Sequence, residues 1–354
     1  SFNSMNSTIA IVSWVPEPEG RGTIGLVWSC LVTIFLCTWS AIHPNLPAPT
    51  DSQLRRFGRH VGHVFIALVA PEYTVLFAVE HFLMARKSPG WSLLQCFFLT
   101  MGGYALQTIS DTEDEPPVRI KPQQLVSYFE SGKLAWPEVS VSDIEDRSKA
   151  DWIVKLVTLV QVTWFVAQVI GRALQGLTVT TLELFTLGNV FCAAVMYILW
   201  WHKPFDVRTP IVLRIKSPLP ELAHVISIVD LEDTLPKKRR IPGWSTIAAT
   251  LVFGGLLVVG WQFHFPSSVE ELLWRISSIG VITLSLVAAL MAWSVNVVNL
   301  LWWEKTFARF VVISMVLYTL LRLYMFVEMF IGLRAVPADV YKTPQWSQYF
   351  PSFG

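Results

Sequence analysis

Apolar positions along this chain gather in stretches of about twenty residues, the length needed to cross a bilayer and longer than most core helices of a water-soluble domain. Two of these stretches, Gly22 to Ile42 and Ile241 to Val269, hold no Asp, Glu, Lys or Arg. Counting such windows predicts spans at 23–42, 61–85, 91–110, 152–172, 178–201, 243–264, 274–300 and 307–331. The expected fold is all-α, a polytopic transmembrane helical bundle of about eight spans. Seven spans are the alternative, because only Arg86 to Gly90 separates the second window from the third and Pro71 with Glu72 interrupts the second. The Pro-rich connections 111–151 and 202–242 are long loops, and no internal repeat appears. Residues 1–354 therefore read as one integral membrane domain.

Composition agrees with that pattern. Of 354 residues, 53% are apolar and 15% charged, against about 25% charged in an ordinary soluble chain. The formal charge of +1 removes the electrostatic basis for a nucleic-acid partner, which leaves the lipid bilayer as the surrounding medium. Eighteen Lys and Arg fall in the first, third, fifth and seventh connections, against six in the tails and the even connections. That bias predicts cytosolic long loops and lumenal tails. The sequon Asn6-Ser7-Thr8 fits a lumenal N-terminal tail, and the endoplasmic reticulum is the expected membrane. Cys30, Cys37, Cys96 and Cys192 all lie in apolar segments without metal-binding spacing. His60 and His63 stand at i, i+3 without a further ligand nearby, so neither a metal nor a cofactor is expected.

Ionisable groups at membrane depth cost several kcal/mol each unless they meet a partner or a cavity. Glu72 follows Pro71, whose ring frees a backbone carbonyl one turn earlier, so a polar pocket there is one reading and a pair with an Arg of another helix is the other. Glu183 sits in Thr180-Thr181-Leu182-Glu183, where it either caps the fifth span or serves chemistry. Arg172 and Glu183 flank a short turn containing Gly176, and a local ion pair is their simplest explanation. Arg322 and Glu328 are six apart, about 240° around a helix, so each is expected to find its partner elsewhere.

Most of the sixteen tryptophans fall where an interfacial belt places them. Trp39, Tyr104, Trp164 with Phe165, and Trp293 fall inside the expected spans, where they either pack against lipid or line a pocket. Aromatic faces stabilise a cation by about 0.5 to 2 kcal/mol each.

These residues carry a resemblance. The run Trp14 to Thr23, then Trp28-Ser29-Cys30, Leu36 to Trp39, Ala70-Pro71-Glu72, Met101-Gly102-Gly103, Ile144 to Lys155, Trp164-Phe165 with Gln168 and Arg172, Gln175-Gly176-Leu177, Leu182-Glu183, Trp200 to Pro204, and Leu333-Arg334 with Tyr341 and Trp346 are similar to a large fungal family of multi-pass membrane proteins. The chain also resembles the integral membrane terpene cyclases of fungal meroterpenoid biosynthesis, of the ascofuranone and macrophorin kind. That resemblance implies an isomerase acting on a lipophilic prenylated small molecule, in which an acid protonates an epoxide or alkene of a farnesyl chain and a carbocation closes the rings. It implies Glu72 as the acid, with Glu183 as a second catalytic carboxyl. Arg172 or Gln168 would orient the acid, and Trp39, Tyr104, Trp164 and Phe165 would shield the cation. Two rivals explain the same buried charges: a transporter or channel using them as an ion path, and a structural or receptor-like bundle in which each is paired.

Overall fold

The computed structural model describes residues 10–17, 21–47, 51–86, 91–108, 118–119, 125–126, 129, 140–145, 151–205, 207, 209–215, 243–297 and 301–345. Its helices are α1 (Thr23–Ala41), α2 (Gln53–Val69), α3 (Pro71–Ala85), α4 (Leu93–Thr100), α5 (Val141–Glu145), α6 (Asp151–Leu174), α7 (Thr181–Leu199), α8 (Gly243–Val259), α9 (Ser268–Val297) and α10 (Leu301–Ile331). Short strands β1 (Ile11–Val12), β2 (Tyr104–Thr108), β3 (Val118–Arg119), β4 (Ile211–Ile215) and β5 (Val336–Pro337) complete the described elements. The fold is helical with two small sheets added.

Among the described residues, five helices are long and apolar enough to cross a membrane: α1, α6, α7, α9 and α10. The count is six if α2 and α3 form one span, and α8 is apolar but shorter. The eight expected spans shrink for two physical reasons. In the second window, the residue before Pro71 is barred from the α region, and Ala70 takes φ −139° and ψ 65°. Pro71 then opens a new helix, and the chain turns by 116° between α2 and α3. In the third window, helix α4 is only eight residues long, with Met101 as its cap, and the chain turns off at Gly102, whose φ of +77° suits a residue without a Cβ. A Cβ on Gly103 would meet the Phe98 ring at 2.4 Å. The chain then leaves as strand β2 rather than as more helix. This window is apolar because it fills a second core of Phe98, Leu99, Tyr104, Leu106, Phe129 and Ile144, not because it faces lipid.

Strand β2 lies between β3, antiparallel, and β4, parallel. The sheet thus ties the first long connection to the second, at the end of the bundle where α1, α3 and α7 finish. His43 packs against Trp200 and Phe205 there, and Lys203 reaches both Asn45 and His81. At the opposite end β1 pairs with β5, and Thr23 donates to the Tyr341 hydroxyl at 2.8 Å, so both tails close over the start of α1 and α7. The main core runs between these ends and includes Leu26, Ile34, Val75, Phe165, Phe185 and Met325.

Candidate functional site

Two of the expected catalytic residues sit at the tail end of the bundle and one lies apart from them. Glu72, in the first turn of α3, is 1% exposed and meets two residues one helical turn apart on α10. Tyr318 donates its hydroxyl to Oε1 at 2.5 Å, and Arg322 Nη2 donates to the same oxygen at 2.8 Å. The guanidinium also bonds the Tyr318 oxygen through Nε at 3.0 Å and stands 4.3 Å over the Phe253 ring. Both hydrogen bonds make the carboxyl an acceptor beside a cation. This is the ion-paired reading of Glu72, and its partner is the arginine whose spacing already excluded Glu328.

Glu183 caps α7. Its Oε2 accepts from the Thr180 backbone N–H and hydroxyl, both at 2.9 Å, while the Thr180 hydroxyl accepts from the Glu183 N–H. Its Oε1 meets Arg21 of the N-terminal tail at 2.5 Å and Arg172 Nε at the longer distance of 3.8 Å. Arg172, fully buried, spends its shorter bonds on backbone: Lys342 O at 2.6 Å, Thr178 O at 2.5 Å and Asp339 O at 3.3 Å. Asp339 in turn accepts from the N–H and hydroxyl of Thr178. The local Arg172–Glu183 contact exists, but the stronger links run to the two tails. The capping box satisfies orphan helix donors, and the arginines clamp both tails onto the α6–α7 turn.

The expected aromatic shield is dispersed. Trp39 packs α1 against α2 through Phe57 and His60, with ring centroids 6.1 and 4.3 Å away. Tyr104 belongs to the second core between Trp91 and Phe98, where burial pushes its phenol well up. Trp164 is exposed, Phe165 is buried in the main core, and Gln168 is half-buried on the next turn of α6. Glu72, Glu183 and these aromatics thus have different packing partners. No group of His, Cys, Asp and Glu among the described residues has the arrangement of a metal site.

A cavity of about 920 Å³ does exist, between α6 and α7 near the sheet end. Its origin is local. Thr158 donates to Ser40 at 3.1 Å and Gln161 to Thr33 at 3.0 Å, so polar links hold α6 on α1 and leave its other side off α7. On that side Leu156, Leu159 and Val162 face a stretch of α7 whose side chains at Ala193 and Ala194 are small. Leu156, Leu159 and Ile198 are more than half exposed, so the cleft opens sideways, where a bilayer would lie. Its walls are mostly apolar, and its polar groups are Glu145, Lys155, Thr158, Tyr197, His202 and Lys203. The volume lies toward the upper end of the range for small-molecule sites.

Lys203 is the unusual member. It is 2% exposed, with Asn45 Oδ1 at 3.4 Å, His81 Nδ1 at 3.5 Å and the Trp200 ring at 4.5 Å. Burial pushes its ammonium down to about 7. Neighbouring His43 donates from Nδ1 to Ala41 O at 3.0 Å, and its own burial lowers it to about 3. Sequence reasoning passed over this site because Trp200-Trp201-His202-Lys203-Pro204 reads as an interfacial belt at a span end. The available signal was that Lys155, inside a span, and Lys203, at the end of the next, lie on consecutive helices of opposite direction.

The chain matches, over residues 2–88, 86–242 and 226–353, a family described as a family of unknown function, DUF8562. These stretches span nearly its whole length, and the chain belongs to that family. No curated protein and no solved structure matches it.

Proposed function

We propose that this protein is an intramembrane terpene cyclase, an isomerase that takes a prenylated aromatic lipophile from the bilayer into the cleft between α6 and α7. The observation that carries the reading is the cleft itself: about 920 Å³, apolar along its walls, polar at Lys155, Tyr197, His202 and Lys203, and open sideways. A farnesylated aromatic molecule has the matching character, a long hydrocarbon with one polar head. The reaction class, acid-initiated cyclisation of an epoxide or alkene, comes from the resemblance to fungal membrane terpene cyclases. A proton donor for such a reaction has to line the cleft. Glu72 does not, and Glu183 and Arg172 belong to the tail clamp, so this reading gives those three a structural task.

A purely structural bundle has one observation in its favour, the pairing of Glu72 with Arg322 and of Glu183 with Arg21. The open cleft weighs against it, since a bundle without a ligand gains nothing by leaving that volume unfilled. In this reading the tails face the lumen of the endoplasmic reticulum. With α4 no longer a span, Arg86 at the end of α3 joins the basic side, which sharpens the charge bias behind that orientation. The test is to incubate microsomes carrying the chain with farnesylated phenols, free and epoxidised, and to look for a product of unchanged mass and shifted retention. Formation of that isomer supports the cyclase. Conversion of neither substrate class contradicts it.

A further inference from the structure

We infer that the polar end of the cleft anchors the anionic oxygen head of its lipophile, a carboxylate or phenolate, with the Lys203 ammonium as the counter-charge. This rests on reading the cleft as the substrate site and names the head group that site selects. Among the described residues, the two other buried cations each have a carboxylate: Arg322 has Glu72 at 2.8 Å and Arg172 has Glu183 at 3.8 Å. Lys203 has none within ion-pair distance among the described residues. Its partners Asn45, His81 and Trp200 carry no negative charge, so they orient an ammonium without cancelling it. A buried cation left in that state is costly, and an arriving anion would relieve the cost.

The rest of the cleft supports the same occupant. Lys155 also lines it, 5.6 Å over the Trp201 ring, so the polar groups of the cleft stand at one end of an apolar volume. Burial holds Lys203 near the point where it carries its proton half the time, and an anion on it would draw the proton on. The other titratable groups of the cleft, Cys37, Glu145, Tyr197 and His202, stand on α1, α5, α7 and the turn after α7. Of these only Glu145 opposes an anion, and it is exposed. A free lipophilic acid and an anionic phospholipid share this head chemistry.

The experiment uses the full chain in phosphatidylcholine nanodiscs. It compares binding of a pyrene-labelled long-chain carboxylic acid with binding of its methyl ester, in discs with and without phosphatidic acid. Wild type should bind the acid at least tenfold more tightly than the ester. Lys203→Met should bring the acid down to the ester's affinity and leave the ester unchanged, and Lys203→Gln serves as a second variant should the first not fold. Competition by phosphatidic acid would support the same head and assign it to a membrane lipid, and its failure to compete would assign it to the free acid. Equal binding of acid and ester by wild type, which needs no variant, would overturn the anionic head while leaving the cleft a lipophile site. A preference that survives loss of the Lys203 charge would overturn the role of Lys203. Binding of neither probe would overturn the cleft reading together with it.

Discussion

Arg322, on α10, lies 2.8 Å from Glu72 at the start of α3, two residues 250 positions apart that neutralise each other inside the bundle. Their contact fixes the break between α2 and α3 against the last long helix, because Tyr318, one turn before Arg322, donates to the same carboxylate oxygen. The pair makes the charges tolerable at that depth.

Glu72→Gln should therefore lower stability far more than it lowers chemistry. Removing one partner leaves Arg322 buried without its counter-charge, a loss of about 3–5 kcal/mol. Thermal unfolding in detergent should show a clearly lower midpoint. The double variant Glu72→Gln with Arg322→Met should recover part of that loss, and product formed per folded molecule should stay within a few-fold of wild type. A catalytic Glu72 would give the reverse pattern, a normal midpoint and no product.

The tail clamp makes a separate prediction. Arg172→Met unpairs the carbonyls of Lys342, Thr178 and Asp339, and each buried carbonyl left unpaired costs about 1–3 kcal/mol. Limited proteolysis should then cut the C-terminal tail first, because Lys342 and Asp339 lose the side chain that ties them to the α6–α7 turn, while Arg21 still holds the N-terminal tail on Glu183. Glu183→Gln keeps a side chain able to cap Thr180 and should protect the tails better than Glu183→Ala, whose cap loss costs about 0.5–2 kcal/mol.

Much of this was legible in the sequence, and the parts that were not share a cause. The capping box at Thr180 and Glu183 could be read because its partners are three residues apart, and the break at Pro71 because proline acts on its own neighbour. The spans α1, α6, α7, α9 and α10 followed from length and hydropathy. The stretch 91–110 misled, since a short helix and a strand buried by a second core have the same apolar composition as a membrane span, and only Gly102-Gly103 marked the difference. The Glu72–Arg322 pair and the cleft depend on which faces of distant helices meet, and one chain's periodicity does not encode that. Trp39, Tyr104, Trp164 and Phe165 all lie in apolar stretches of the sequence, but the fold puts them in four different surroundings.

Acid should weaken the protein through His43. Its ring is lowered from 6.5 to about 3 by burial, so between those values the unfolded chain binds a proton that the folded chain does not. Stability then falls as pH drops below about 6.5 and continues to fall toward 3. Melting midpoints across that range should decline in wild type and decline less in His43→Phe, which keeps the ring contacts with Trp200 and Phe205 while removing the titration.

Lys203 acts in the opposite range. Burial lowers it from 10.5 to about 7, so between about 7 and 10.5 the unfolded chain again holds the extra proton. Stability of the ligand-free protein rises with pH across that window. Lys203→Met removes the buried ammonium and should raise the midpoint at pH 7 while flattening its rise toward pH 10. Unchanged slopes would mean that Lys203 is solvated in the bilayer-embedded protein.

The most direct test of the cleft as the working site is to fill it. Ala194 lies on its α7 wall and is exposed, so Ala194→Trp occupies the volume without disturbing the core. The measurement is conversion of the epoxidised farnesyl phenol by wild type and by Ala194→Trp at matched folded concentration. The account predicts an isomeric product from wild type and at least a tenfold loss in the filled variant, with melting unchanged. Equal conversion by both would place the chemistry elsewhere in the bundle and contradict it.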